Sequence, residues 1–191
     1  MRRGRPRLGE EGLIATYFAP LAEGFSGAFG LLDDAALLSP PSGNDLVITT
    51  DAIAAGVHFL PDDAACDIGF KALAVNISDL VAKGARPVCY LMSVAFPELP
   101  DAAWLKGFAA GLAAAQRQFG IELAGGDTDR RPGPVSVTIT AIGRVPAGRM
   151  VRRATARSGD RLYVSGTIGD SALGLLLRQD ANLASRLGLK F

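Results

Sequence analysis

The sequence is poor in the side chains that bind zinc or act as nucleophiles. It contains a single histidine, His58, and two cysteines, Cys66 and Cys89. Neither cysteine has the spacing of a metal site, so both are predicted to be small core residues of a reduced, cytoplasmic protein. No Gly-x-Ser-x-Gly motif and no Cys with an accompanying second His is present. We therefore expect no covalent nucleophile, and any metal site must be built from oxygen ligands.

The sequence also lacks a strong charge imbalance and long apolar runs. The formal net charge is +1, and the basic residues do not alternate with aromatics as in a nucleic-acid-binding surface. No apolar run is long enough to span a bilayer, and the basic N-terminus has no apolar stretch after it, so no secretory signal is predicted. The basic residues concentrate in two places: Arg2, Arg3, Arg5 and Arg7, and then Arg149, Arg152, Arg153 and Arg157.

A nucleotide-binding P-loop is absent as well. The Gly-x-x-Gly turn from Gly166 to Gly169 could hold a phosphate at a helix N-terminus. It lacks the third glycine of a dinucleotide fingerprint and the Lys-Ser/Thr of a P-loop. We interpret this turn as structural. If the protein handles ATP, it does so by another arrangement, such as carboxylates that bind Mg²⁺ ions bridging the phosphates.

The hydrophobic pattern predicts an α+β fold, with helices on one face of a mixed sheet. The apolar face left uncovered would need a partner. We expect one N-terminal domain over residues 1–150 and the start of a second over 151–191. Helices are predicted over residues 9–21, from a cap at Asp67 to an end at Gly84, from Asp101 to Gly120, and over residues 171–177. The predicted strands are 35–38, 46–50, 88–96, 121–124, 135–145 and 161–165.

The stretch from Val47 to His58 carries the clearest chemical signal. A β-branched apolar run leads directly to Thr49, Thr50 and Asp51. If a buried strand ends there, hard oxygen ligands lie at the edge of a sheet, and a divalent cation such as Mg²⁺ suits them. The alternative is a strand end with an ordinary Asx or Thr turn. This stretch alone leaves both interpretations open.

Three other stretches favour the metal interpretation. Asp33-Asp34 follows a Gly-rich connector, Asp79 lies three residues after Asn76 on a predicted helix, and Asp127 follows Gly125-Gly126. Each aspartate alone is more typical of a cap or turn. Together they predict carboxylates that converge on one cleft and hold Mg²⁺ on a triphosphate. The paired glycines remove side-chain bulk, so that a triphosphate can approach the backbone.

Seven stretches together resemble the thiamine-monophosphate kinases of the aminoimidazole ribonucleotide synthetase superfamily. The resemblance runs from Gly9 to Leu176 and implies ATP-dependent phosphorylation of thiamine phosphate to thiamine diphosphate. The stretches are GEEGLIATYFAPLA, DDAALL, TTDAIAAGVHFLPD, KALAVNISDLVAKGARP, AWLKGFAAGL, GGDTDR and YVSGTIGDSALGL.

The resemblance also implies roles for individual residues. Its ATP contacts match Gly126, Asp127 and Arg153, and its thiamine phosphate contact matches His58, for which the alternative is a core histidine. It implies direct in-line phosphoryl transfer and a homodimer whose two sheets close a barrel. The family's magnesium ligands match Asp34, Thr49, Thr50, Asp51, Asp79 and Asp127.

Departures from the family pattern keep a second interpretation open. Leu32 stands where the family has Gly, Lys83 replaces an apolar residue, and the sequence stops just after it enters the family's second domain. A domain that only dimerises and binds Mg²⁺-nucleotide is therefore the alternative. Within the superfamily, a selenophosphate synthetase is disfavoured because no Cys lies near the Gly-rich N-terminal stretch. Aminoimidazole ribonucleotide synthetase stays possible, although the Gly-Val-His-Phe match favours the thiamine enzyme.

Overall fold

The structure, a computed structural model, describes residues 9–180 and 182–188. The chain separates into two compact units, Met1–Arg152 and Arg153–Phe191. Each unit is described by itself below. The predicted functional division after residue 150 stays a prediction.

Unit 1 is built on one four-stranded mixed sheet. Its strands are β1 Asn44–Ala54, β2 Arg86–Phe96, β3 Glu122–Arg130 and β4 Ser136–Pro146. Their order across the sheet is β1-β4-β2-β3. The pairs β1-β4 and β4-β2 are antiparallel, and β2-β3 is parallel. The predicted mixed sheet is confirmed, and β1 and β3 are its two edges.

The helices of unit 1 lie on one face of this sheet, as predicted. Helix α2, Ala65–Ala82, packs on β1, β4 and β2, and α3, Ala102–Phe119, packs on α2. The first predicted helix begins as α1, Glu10–Leu13, and continues as a π turn over Ile14–Phe18 and a 3₁₀ turn over Ala19–Ala22. Its apolar side chains Leu13, Phe18 and Leu21 belong to the core.

Helix α3 shows how local sequence specifies an element. The Asp101 carboxylate accepts a 2.7 Å hydrogen bond from the Trp104 N–H, which caps the first turn. Gly120 ends the helix with φ 64°, a left-handed conformation that favours glycine. A Cβ at Gly111 would lie 1.9 Å from the Cys66 carbonyl oxygen. This glycine therefore allows α2 and α3 to pack closely.

Several local predictions were wrong. Residues 35–38 form no strand, and Leu37 makes only a 2.8 Å hydrogen bond to the Gly27 carbonyl. Residues 161–165 also form no strand, since the described part of unit 2 contains no strand to pair with them. Helix α2 is capped at Ala64 and not at Asp67. Cys66 is exposed and does not belong to the core, whereas Cys89 is buried as predicted.

Part of the sheet face opposite the helices remains exposed within unit 1, in agreement with the sequence prediction. On β4, Val137, Ile139 and Ala141 are buried towards α2, while the alternate residues are only half buried. Ile48 on β1 is 63% exposed and Leu91 on β2 is 40% exposed. Apolar side chains thus remain accessible on this outer face.

Unit 2 is small. It contains a 3₁₀ turn, Arg153–Thr155, and the helices α4, Asp170–Gln179, and α5, Leu183–Arg186. The predicted helix over 171–177 is confirmed as α4. An ion pair of 3.2 Å joins Arg186 to Asp180. Over the described residues of both units, none of the helices combines the length and the apolar character that a membrane crossing requires.

Candidate functional site

Strand β1 carries three of the predicted ligands in its interior and not at its end. It pairs with β4 through Ala54, so the expected strand end at Asp51 was wrong. Side chains alternate along a strand, so Thr49 and Asp51 face α2 and Thr50 faces the outer side. The Thr50 hydroxyl donates to the Ile139 carbonyl over 3.1 Å and accepts from the Thr140 hydroxyl. It therefore points away from Asp51.

Helix α2 contributes two polar side chains to the β1 edge. The Thr49 hydroxyl donates a 2.9 Å hydrogen bond to Oδ2 of Asp79. The Asn76 side chain is fully buried, and its Oδ1 accepts a 2.9 Å hydrogen bond from the Asp51 N–H. Asn76 Nδ2 donates to the Ala72 carbonyl within the helix. We call Thr49, Asp51, Asn76 and Asp79 the β1 cluster.

A second group of candidate residues lies at the other edge of the sheet. Asp33, Asp34, Gly125, Gly126 and Asp127 line a cavity of about 370 Å³ between β3 and the segment that follows the first helix. We call these five residues the β3 cluster. The predicted grouping of Asp34 with the Gly-Gly-Asp stretch is therefore present.

Gly126 gives this cavity a bare backbone wall. A Cβ at this position would lie 1.8 Å from the Met92 carbonyl oxygen, which is too close for any side chain. At Gly125 the nearest atom to a Cβ is a flexible side-chain atom of Leu91, 3.5 Å away. Glycine is thus required by packing at Gly126, next to Asp127, whereas Gly125 has room for a methyl group.

The two clusters do not meet within one chain. The register aligns Asp51 with Ile139, Met92 and Gly126 in a single row across all four strands. Three strand spacings separate the ends of this row by roughly 14 Å. In residues 9–180 and 182–188, no three His, Cys, Asp or Glu side chains form a group that could hold a metal ion. The expected convergence of all four carboxylates is therefore wrong for a single chain.

His58 lies in a compact turn after β1. Its Nδ1 accepts a 3.1 Å hydrogen bond from the Ala54 N–H, and the Lys71 ammonium donates to the His58 carbonyl. The side chain is exposed, so the core-histidine alternative does not apply. Because Nδ1 is an acceptor, the neutral ring carries its proton on Nε2. The Lys71 contact was missed in the sequence, since no local pattern links this turn to a lysine on α2.

The remaining residues singled out in the sequence are Leu32, Lys83 and Arg153. Leu32 is 92% exposed and is one of the residues that line the β3-cluster cavity. Lys83 is the C-cap of α2, and its carbonyl accepts a 3.0 Å hydrogen bond from the Val151 N–H. Arg153 begins the 3₁₀ turn of unit 2 and is exposed.

Comparison with known proteins shows which family the sequence resembles. The family model for AIR synthase related proteins, N-terminal domain, matches residues 32–145. The thiamine-monophosphate kinase of Salmonella typhimurium is 44% identical over 173 residues, which are 90% of this chain and 52% of that protein.

Two solved structures are similar in fold as well as sequence. Thiamine-monophosphate kinase from Stenotrophomonas maltophilia K279a is 46% identical with a TM-score of 0.72, over 78% of this chain and 46% of that one. AaThiL complexed with AMPPCP and TMP is 32% identical with a TM-score of 0.67, over 92% of this chain and 56% of that one. The chain spans about half the length of the relatives it matches.

Proposed function

The chain belongs to the AIR synthase related proteins, whose N-terminal domain it carries, and from this premise we propose that it takes part in the ATP-dependent phosphorylation of thiamine phosphate to thiamine diphosphate. The observation that carries the proposal is the pair of oxygen-rich clusters on the two edge strands, in a chain similar to thiamine-monophosphate kinases. A solved relative holds AMPPCP, an ATP analogue, together with TMP, which supports this choice of substrates.

The chemistry of the two clusters fits Mg²⁺. Their donors are carboxylate and hydroxyl oxygens, which this hard cation prefers over nitrogen or sulfur. Thr49 orients Asp79 through Oδ2, which leaves Oδ1 available as a ligand. Bound Mg²⁺ would neutralise charge on the phosphates during transfer. We propose as ligands the oxygen atoms of Asp34, Thr49, Thr50, Asp51, Asp79 and Asp127.

A second copy of the chain would bring the two clusters together. β1 and β3 are both edge strands with unpaired backbone groups, and the outer face of the sheet exposes apolar residues. A two-fold axis that sets β1 of one copy beside β3 of the other would close the two sheets into a barrel. Asp51 of one copy would then lie beside Asp127 of the second. We therefore propose a homodimer with shared sites.

The chain's own residues then have distinct roles. The bare backbone at Gly126 would let phosphate oxygens approach, with Asp127 beside them. His58, held at Nδ1 by the Ala54 N–H, would direct its Nε2–H at the phosphate of thiamine phosphate. In-line transfer between two positioned phosphates needs no covalent nucleophile, because positioning and charge stabilisation carry the reaction.

A second candidate function is supported by the length of the match. The chain spans about half of its relatives, so the catalytic machinery of those proteins can extend beyond the residues that match here. In this alternative the chain dimerises and binds Mg²⁺-nucleotide without turnover.

One experiment separates these candidates. The purified chain is incubated with ATP, MgCl₂ and thiamine phosphate, and thiamine diphosphate is measured by chromatography. Formation of product that is lost in Asp79→Asn and kept in the surface variant Lys106→Gln supports the kinase. No product, together with Mg²⁺-dependent AMPPCP binding by a dimer, supports the second candidate. If neither product nor AMPPCP binding is detected, both candidates are refuted.

A further inference from the structure

A second cavity, separate from both clusters, lies at the start of β2, where Arg86, Pro87 and Val88 line it. Its volume is about 680 Å³, within the range of pockets that hold small organic ligands. One wall is the segment that contains Phe25, Phe29 and residues 37–41. The other wall is one row of the sheet, in which Leu46 on β1, Arg144 on β4 and Arg86 on β2 are aligned. The proposed function gives none of these residues a role in binding Mg²⁺ or the substrates, although the row of Leu46, Arg144 and Arg86 lies on the outer face that the proposed homodimer closes.

The two arginines in this row form an unusual pair. Arg86 and Arg144 are direct cross-strand partners, so their Cα atoms lie about 5 Å apart and their side chains share a face. Like charges in this relationship repel each other and destabilise the pair. No carboxylate lines the cavity, and in the part of the chain that the structure describes neither arginine has an ion-pair partner. An anion between the two guanidinium groups would remove the repulsion.

The rest of the cavity is apolar and contains aromatic rings. Phe25 and Phe29 line it together with Leu37, Leu38 and the prolines Pro40 and Pro41. Phe29 has φ 51°, a left-handed conformation that is uncommon for a residue with a side chain, and it is 50% exposed. The backbone thus holds this ring at the cavity although the conformation is unfavourable. A flat ring can pack there while its charged group reaches the arginines.

From this combination we propose that the cavity is a binding site for a small phosphate monoester with a flat apolar ring. The two guanidinium groups match the charge of about −2 on such a phosphate at neutral pH and can each donate paired hydrogen bonds to its oxygens. Ser26 and Ser39 add hydroxyl groups to the cavity wall. The site is distinct from the proposed Mg²⁺-nucleotide clusters, so it does not depend on kinase activity.

Phenyl phosphate is the probe for this site, titrated without Mg²⁺ into the ¹⁵N-labelled chain by NMR and calorimetry. Saturable shifts should appear at Phe29, Leu46, Arg86 and Arg144. The double variant Arg86→Gln/Arg144→Gln should bind at least about tenfold more weakly, because it loses charge-assisted hydrogen bonds. The control Lys106→Gln also removes one positive charge, but its position on α3 is 14 residues from Gly120 at the cavity, or about 20 Å. It should bind as the unmodified chain does.

Two further measurements test whether the Phe29 ring contributes to binding and whether the two arginines are contact residues of a subunit interface. Phe29→Gly removes the ring and relieves its backbone conformation, so it should weaken phenyl phosphate and leave inorganic phosphate unchanged. The proposal is overturned if phenyl phosphate binds equally to the unmodified chain and the double variant, or if no saturable binding occurs. It is also overturned if the double variant changes the sedimentation of the chain, because the arginines would then be subunit-contact residues.

Discussion

The Thr49 hydroxyl donates a 2.9 Å hydrogen bond to Oδ2 of Asp79, a residue 30 positions later in the chain. This contact joins the edge strand β1 to helix α2 and fixes the direction of the second Asp79 oxygen. A carboxylate held by an outer partner is a better metal ligand than one that rotates freely, because its orientation is set before the ion binds. The Thr49–Asp79 pair is therefore the part of the β1 cluster on which Mg²⁺ affinity should depend.

Replacing Thr49 by valine tests this dependence. Thr49→Val removes the donor with little change in volume and should weaken Mg²⁺-dependent AMPPCP binding by about tenfold or more. The matched control is Thr138→Val, because the Thr138 side chain lies on the outer side of β4 and is not among the proposed ligands. Calorimetric titration of both variants checks this. Equal losses in the two would contradict the assigned orientation of Asp79.

Asn76 should contribute more to folding than to binding. Its side chain is fully buried, accepts from the Asp51 N–H and donates to the Ala72 carbonyl. Asn76→Ala removes both hydrogen bonds and leaves the part-buried Asp51 N–H without this partner, so it should lower the free energy of unfolding by about 1–3 kcal/mol. Ser78→Ala, on the exposed side of the same helix, should change it by less than about 0.5 kcal/mol. Urea denaturation measures both, and similar values would show that the Asn76 contacts contribute nothing.

The two glycines before Asp127 should respond differently to a methyl group. A Cβ at Gly126 meets the Met92 carbonyl at 1.8 Å, so Gly126→Ala forces β3 away from β2. We expect a loss of about 1–3 kcal/mol in the free energy of unfolding, together with weaker AMPPCP binding. Gly125→Ala, whose Cβ meets only a flexible Leu91 atom at 3.5 Å, is the control for stability. A stable, nucleotide-binding Gly126→Ala variant would rule out the close packing of β3 on β2.

Glu122 at the start of β3 gives the fold a predictable pH dependence. Burial raises the pKa of its carboxyl above the ordinary value of 4.5, so the folded chain binds this proton more tightly than the unfolded chain. The contribution of Glu122 to stability is therefore most favourable at acid pH and falls as the pH rises from 4.5 through the raised pKa. Its charge, after burial itself, also raises the pKa of the buried Tyr90 hydroxyl.

Chemical denaturation across this range checks the sign. Glu122→Gln should flatten the decline in unfolding free energy between pH 4.5 and neutrality, whereas Glu98→Gln in an exposed loop should leave it unchanged. An increase in stability with pH that disappears in Glu122→Gln would mean that the carboxylate is stabilised, and not destabilised, by its surroundings.

The elements predicted correctly are those whose signals are local. Asp101 and Gly120 mark the two ends of α3 by capping chemistry that operates within one turn. The alternation of β4 is likewise visible in its own residues. Residues 35–38 looked like a strand, but a strand requires a hydrogen-bonded neighbour, and no pattern in that stretch shows whether one is present.

The candidate site was predicted only in part, because its geometry depends on strand order. Asn76 and Asp79 share a helix face, which their spacing indicates, but their contacts with Asp51 and Thr49 join distant segments. The position of β4 and β2 between β1 and β3 separates Asp51 from Asp127. Local sequence contains no signal for this order. The expectation of a single cleft within one chain therefore failed, and the roles of the individual aspartates stay predictions.

The most direct test of the central claim, that two copies combine their edge clusters into one Mg²⁺-nucleotide site, is calorimetric titration of AMPPCP with Mg²⁺ into mixed variants. Asp51→Asn and Asp127→Asn should each lose binding when measured alone. An equimolar mixture, unfolded and refolded together, should recover about a quarter of the original sites, since half of the dimers are mixed and each restores one of its two sites. No recovery in a mixture that sedimentation shows to be dimeric, or full binding by either variant alone, would contradict the shared site.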